Sequence, residues 1–350
     1  MCDRYTTPAC AAESSWRSGG SPDAERPGKI PLVPPPHETV ESLYQGYPAR
    51  TLISHDADLE ATFVPGVGMI GVSLKHKGDE LLGQRGGLAR YEATRSTMGI
   101  PLLHPWANRL DGYEYAAAGR NVQLDPDSPL LKKEEHGLPI HGFLGASPYW
   151  ELLGSNANDT LAGLSARLDF GAHPEYLEGF PYPHELQIDV ILRGPLLTIR
   201  TTLTPTGSLS VPFSFGFHPY FTLPAVARED WHLELPRMER LAVDDRLIPT
   251  GDLEPFAVEP GPLGDRTYDN VFTSLPDPPR FALAGGGRRV AVEFLGGYRY
   301  AVVYAPGDDD VVAFEPMTAP TNALVSGDGL DVVAPGESRS ATFSVSVEPE

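Results

Sequence analysis

Between residues 186 and 203 the chain alternates apolar and polar side chains with a period of two. Leu186, Ile188, Val190 and Leu192 are interleaved with Gln187 and Asp189; after Gly194-Pro195, Leu197, Ile199 and Leu203 resume the pattern against Thr198, Arg200 and Thr202. Such spacing puts alternate side chains on opposite faces, as a strand does and a helix does not. With its glycine–proline break, the segment predicts two antiparallel strands joined by a short turn. The same alternation recurs at Val290, Val292 and Phe294, at Tyr300, Val302 and Tyr304, and at Phe343, Val345 and Val347, and Gly285-Gly286-Gly287 reads as a hairpin turn. Glycine and proline, 36 of each, supply the turns that many short strands need. No repeat of roughly 20 to 50 residues suggests a propeller or solenoid. The expectation is an all-β protein, a large antiparallel β-sandwich, whose sheets can offer a concave face to a hydroxyl-rich ligand.

Residues 1–37 are rich in Ser, Gly, Pro, Ala and charge and end in Pro34-Pro35-Pro36. They hold too few large apolar groups to offset ordering entropy, so a disordered tail is expected there and a single domain over residues 38–350. A formal net charge of -20 without a local cluster of Lys or Arg argues against nucleic acid and anionic membranes as partners. Only Cys2 and Cys10 are present, so neither a disulfide framework nor a thiolate metal site organises the core. The start of the chain lacks the apolar stretch of a secretory signal, and no run of about 18 uncharged apolar residues occurs. A cytoplasmic location is expected, with no obligate protein partner evident.

Few polar groups sit within apolar strand context. His218 lies among Phe215, Phe217 and Phe221, where a histidine is more often a satisfied core residue. Glu315 follows Val311-Val312-Ala313-Phe314 and precedes Pro316, so it reads as the end of an apolar strand. Burying that carboxylate costs several kcal/mol or raises its pKa, and a rim position facing water is the even alternative. Asp269, in Tyr268-Asp269-Asn270-Val271-Phe272, fits a turn former; Asn108 and Arg109, after Pro105-Trp106-Ala107, fit a loop pair whose guanidinium suits sugar oxygens; His141 is ambiguous alone. There is no His-Glu-x-x-His, Cys-x-x-Cys, Gly-x-Ser-x-Gly or phosphate-cradling glycine loop.

Taken in order, Gly99-Ile100-Pro101 through Pro105-Trp106-Ala107-Asn108-Arg109, Ile140-His141-Gly142-Phe143, Phe217-His218-Pro219-Tyr220, Asp269-Asn270-Val271-Phe272 and Glu315-Pro316-Met317-Thr318-Ala319-Pro320 resemble the aldose 1-epimerase (galactose mutarotase) family. The resemblance runs from about residue 50 to 347, and the Asn-Arg and Glu-Pro-Met-Thr-Ala-Pro segments are its specific parts. It implies a β-sandwich whose curved face holds a monosaccharide, with His218 as catalytic acid, Glu315 as catalytic base, Arg109, His141 and Asp269 as sugar-binding residues, and Asn108 beside them. Hemiacetal opening needs such a pair, because one proton leaves the anomeric hydroxyl while another reaches the ring oxygen. No cofactor is implied, and Phe143 or Tyr220 could face the sugar ring.

His104 departs from the aromatic common at its position in the family and reads as a packing change. The stretch from Asp125 to Gly137 reads as a loop near His141 that shapes specificity. A hexose-6-phosphate 1-epimerase is the nearest alternative. Arg85, Arg90 and Arg95 could supply its cations, but those relatives carry His-Thr-Tyr where this chain has His218-Pro219-Tyr220. A non-catalytic carbohydrate-binding protein of the same fold would not need both His218 and Glu315, and a glycoside hydrolase would use Asp269 and Glu315 as paired carboxyls.

Overall fold

The strands expected on either side of Gly194-Pro195 are His184–Arg193 and Leu196–Pro205, paired antiparallel from His184 with Pro205 to Arg193 with Leu196. Leu186, Ile188, Val190 and Leu192 are all buried while their neighbours face outward. Each such burial contributes about 1.5–3 kcal/mol, which is what fixes the face of the strand. These features come from a computed structural model that describes residues 35–350. The tail expected over residues 1–37 lies, up to Pro34, outside the described residues, and strand pairing begins at His37.

Two eight-stranded sheets and one five-stranded sheet carry most of the fold. One eight-stranded sheet runs, in spatial order, through His232–Glu234, Arg280–Gly285, Arg288–Gly296, Arg339–Pro349, Leu196–Pro205, His184–Arg193, Ala162–Asp169 and Glu151–Ala157. The glycine run at 285–287 closes the hairpin between its second and third strands, with Gly285 opposite Arg288. The other, here the site sheet, runs through Pro249–Phe256, Met238–Val243, Tyr268–Thr273, Tyr300–Ala305, Val312–Met317, Gly216–Phe217 and Leu102–Leu103, with Tyr220–Phe221 also paired to Val312–Met317. Aromatic side chains join the two: Phe281 lies 5.8 Å from Phe314 and Phe217 lies 5.1 Å from Phe343, ring centre to ring centre. This is the face-to-face packing of a sandwich.

The strand expected at Tyr300, Val302 and Tyr304 forms as Tyr300–Ala305. Within Tyr300–Ala305, the alternating set Tyr300, Val302 and Tyr304 lies on the side away from the main core, which Ala301, Val303 and Ala305 join instead. Apolar residues on both faces mean that both faces of this strand are covered, as in a central strand. The strand carrying Glu315 also continues through Pro316 to Met317 rather than ending at the glutamate.

Candidate active site

The register of the site sheet brings His218 and Glu315 together. Gly216 pairs with Met317 and Tyr220 pairs with Ala313. His218 lies midway between the first pair's glycine and the second pair's tyrosine, and Glu315 lies midway between their partners, so the two face each other across the strands. Pro219 offers no N–H there; the amides of His218 and Tyr220 donate instead to the carbonyls of Pro101 and Gly99, at 3.1 and 2.9 Å. The result is His218 Nε2 3.2 Å from Glu315 Oε1, with both side chains buried. Asp269 is opposite Tyr304, and Val302 is opposite Glu315. Period-two alternation therefore puts Asp269, Tyr304 and Glu315 on one face.

Loops complete the site. The Arg109 segment bridges to Ile140, the amide of His141 donates to the Asn108 carbonyl at 2.9 Å, and Asn108 and His141 both take left-handed backbone, with φ of 57° and 65°. Gly142 follows at φ 64°, and a Cβ there would sit 2.1 Å from the His104 carbonyl oxygen. The glycine of the His-Gly-Phe segment is thus required by contact and by conformation. Gly142→Ala is expected to destabilise the protein by well over about 1 kcal/mol, read as a fall in thermal midpoint.

Arg109 Nη1 donates to Asn108 Oδ1 at 2.9 Å, while its other nitrogens lie 3.8 Å from Asp269 and 3.7 Å from Glu134. All six residues singled out from the sequence, Asn108, Arg109, His141, His218, Asp269 and Glu315, line one cavity of about 240 Å³. That is small beside pockets of about 300–1,000 Å³ that enclose drug-sized ligands, and it suits a single sugar ring. A larger groove of about 750 Å³ crosses the other eight-stranded sheet, but it brings no histidine to a carboxylate.

Burial pushes the Glu315 carboxyl well up, aided by the nearby charge of Asp269 and opposed by Arg109. Burial also pushes the His218 imidazole well down, aided by Arg85 and Lys132. A neutral couple and an ion pair differ only in which side of the 3.2 Å contact holds the proton. Tyr220 Oη lies 3.1 Å from His218 Nε2 and 2.7 Å from Thr97 Oγ1, and its ring stacks on His218 with centroids 4.2 Å apart. The arrangement is a buried proton donor and acceptor at one point of a water-accessible hollow.

The family described as aldose 1-epimerase matches residues 51–346. The chain belongs to the aldose 1-epimerase family. It is 24% identical over 261 residues to the uncharacterized protein YihR of Escherichia coli (strain K12), covering 70% of this chain and 80% of YihR. To the uncharacterized protein YphB of the same strain it is 27% identical over 263 residues, covering 71% and 83%. Among solved structures, the Slr1438 protein from Synechocystis sp. PCC 6803 superposes with a TM-score of 0.70 at 27% identity, over 86% of this chain and 96% of that one. A galactose mutarotase-like protein from Clostridium acetobutylicum gives 0.77 at 20% identity, over 90% and 98%, a likeness of fold.

This aldose 1-epimerase family member also has cavity residues that no sequence motif assigns to its site: Thr97, Lys132 and Tyr304, with Arg85, which the sequence offers only as a cation for a phosphate. Phe143, expected as a possible sugar-facing ring, is instead buried against Trp106, with centroids 5.2 Å apart. Tyr220 and Tyr304 are the aromatic side chains that line the cavity. His104 is wholly buried and contacts His184, Nε2 to Nε2, at 2.9 Å, which makes it a packing residue outside the site. Glu134, Glu135 and His136 bring three possible metal donors within 4.8 Å of one another. Glu134 Oε1 already accepts the amides of His136 and Leu138, so the trio is explained as a turn.

Proposed function

We propose that this protein interconverts the α and β anomers of a free aldohexose such as glucose or galactose. The observation that carries this reading is the contact of two buried groups, His218 Nε2 and Glu315 Oε1, at 3.2 Å on the floor of a cavity sized for one sugar ring. The anomeric hydroxyl oxygen and the ring oxygen are bonded to the same carbon, so an acid and a base that act on both must themselves be neighbours. Glu315 removes the proton of the C1 hydroxyl while His218 protonates the ring oxygen. The C1–ring-oxygen bond breaks, the open-chain aldehyde forms, and rotation about C1–C2 presents the other carbonyl face. Reclosure with the two roles reversed gives the opposite anomer. No electron, hydride or group leaves the sugar, so the reaction as written calls for no cofactor.

Arg109, Asn108, His141 and Asp269 hold hydroxyls around the acid–base pair. Asp269 has about two-fifths of its side chain exposed, which leaves it free to accept hydrogen bonds from an entering sugar. Asp269→Ala is expected to raise KM about tenfold with a smaller change in kcat, because it removes binding shared by ground and transition states.

The deciding measurement is the optical rotation of freshly dissolved α-D-glucose and α-D-galactose with purified protein in a weakly catalysing buffer. Faster approach to an unchanged equilibrium is expected; a rate equal to that of the buffer on every free aldose tried would remove the reading.

A further inference from the structure

A carboxylate stands against Arg109 without itself lining the cavity. It belongs to Glu134, in the stretch 125–137, which is tied down at several points. Arg95 Nη1 donates to the Pro129 carbonyl at 2.6 Å, Tyr113 Oη donates to the Gly137 carbonyl at 2.5 Å, and Lys133 bridges to Pro139. The Glu134 amide donates to the Leu138 carbonyl at 3.0 Å, and Glu134 Oε1 accepts the amides of His136 and Leu138 at 2.8 and 2.9 Å. One carboxylate oxygen thus closes the turn. The other, Oε2, is withdrawn from water and has no hydrogen-bond partner among the described residues.

That oxygen faces Arg109 Nε at 3.7 Å, and the nitrogen is equally without a hydrogen-bond partner among the described residues. On the same guanidinium, Nη1 donates to Asn108 Oδ1 at 2.9 Å and Nη2 lies 3.8 Å from Asp269 Oδ2. The backbone of Arg109 is fixed by its bridge to Ile140 and by the Asn322 amide, which donates to its carbonyl at 2.9 Å, so the side chain is the part that can move. Arg109 therefore stands almost evenly between two carboxylates. They differ in their surroundings: the Glu134 side chain is 8% exposed and that of Asp269 41%. Water screens the Asp269 pair more strongly, so at nearly equal distance the buried carboxylate has the firmer hold. A separation of 3.7 Å exceeds a hydrogen bond, so charge rather than one directed bond does the holding.

Without the Glu134 charge, Asp269 is the one carboxylate left at ion-pair distance from Arg109 among the described residues. A closed Arg109–Asp269 pair would tie up, on each other, the N–H groups and the oxygens that sugar hydroxyls need. We propose that Glu134 is a positioning residue: it holds the Arg109 guanidinium back from Asp269, so that both groups stay open to the sugar. The proposal rests on the sugar-binding roles of Arg109 and Asp269 given above.

The test measures KM and kcat for the anomerisation of glucose and galactose by wild-type protein, Glu134→Gln, Arg109→Lys and the double variant, with Glu135→Gln as a control for the loss of one acid from the same turn. The amide oxygen of glutamine can still accept both turn amides, so Glu134→Gln removes the charge and spares the turn. It is expected to raise KM about fivefold, the scale of one net hydrogen bond, with kcat changed much less. Lysine has no counterpart of Nε, so in the Arg109→Lys background Glu134→Gln should lower kcat/KM by less than about twofold. A turn that had merely loosened would cost the same factor in both backgrounds. Glu135 is largely exposed, and Glu135→Gln is expected to leave KM unchanged. A wild-type KM in Glu134→Gln overturns the proposal and leaves the acid–base reading standing. So does an equal fall in kcat/KM in the two backgrounds, or an equal rise in KM for Glu135→Gln. No acceleration of either sugar by the wild-type protein overturns both.

Discussion

Glu315→Gln is expected to keep the fold and to lower the turnover of anomerisation by about 10²- to 10⁴-fold, the usual worth of one general acid–base group. The amide matches the carboxyl in shape and can still hydrogen-bond His218 across the 3.2 Å contact, but it cannot take the anomeric proton. His218→Asn is expected to cost a similar factor, because protonation of the ring oxygen then falls to water. The two groups act on one proton transfer system, so the double variant should fall little below the weaker single variant. Sugar affinity, measured by titration calorimetry, should change much less than turnover. Near wild-type turnover in both single variants would show that these residues do not carry the chemistry.

The second large effect concerns stability in acid. His184 Nδ1 lies 2.6 Å from the Tyr182 carbonyl and so carries the proton that donates to it. Its Nε2 must then accept, and His104 Nε2 donates at 2.9 Å. A further proton on His184 would set N–H against N–H in a site closed to water. Burial accordingly pushes His184 down to about 4 from the ordinary 6.5, and pushes His104 well down as well, with His184 beside it adding to the effect. As pH falls below 6.5 the unfolded chain takes up protons that the folded chain refuses, so stability is lost from there until the folded His184 itself titrates near 4. That shift alone corresponds to about 3 kcal/mol lost across the window. Urea unfolding at a series of pH values should show the fall, and a His104→Phe, His184→Leu double variant should flatten it. An equal pH slope in the two proteins would exclude the imidazole pair as its source.

The strands at 184–205 were legible because one face is wet, and alternation survives wherever water and core compete for opposite faces. At Tyr300, Val302 and Tyr304 it marks the strand but not the face toward the main core, because the opposite face is also covered. The small residues Ala301, Val303 and Ala305 that fill the core side carry a weaker apolar signal than the tyrosines opposite. A fully apolar strand with a polar tip on one side was the available sign that Tyr304 lines a cavity. His218, Glu315, Asp269, Asn108, Arg109 and His141 could be named because each sits in a recognisable short segment. Arg85, Thr97 and Lys132 reach the same hollow from turns and loops, and no local pattern records where a loop will end up. Phe143 follows the strained Gly142, and its inward direction is set by the Trp106 contact, which lies 37 positions away in the chain.

The opposition of His218 to Glu315 is a property of strand pairing, whereas Lys132 and Arg85 hang from connections around it. On the proposed mechanism, the spacing of the reacting pair and the charge around it are therefore set by different parts of the chain. The hydrogen-bonded ladder sets the spacing of His218 and Glu315, and the charges carried by the surrounding segments act on that pair from outside it. On the proposed mechanism, grafting a different stretch into positions 125–137 is expected to change the choice of sugar while leaving the spacing of His218 and Glu315 in place.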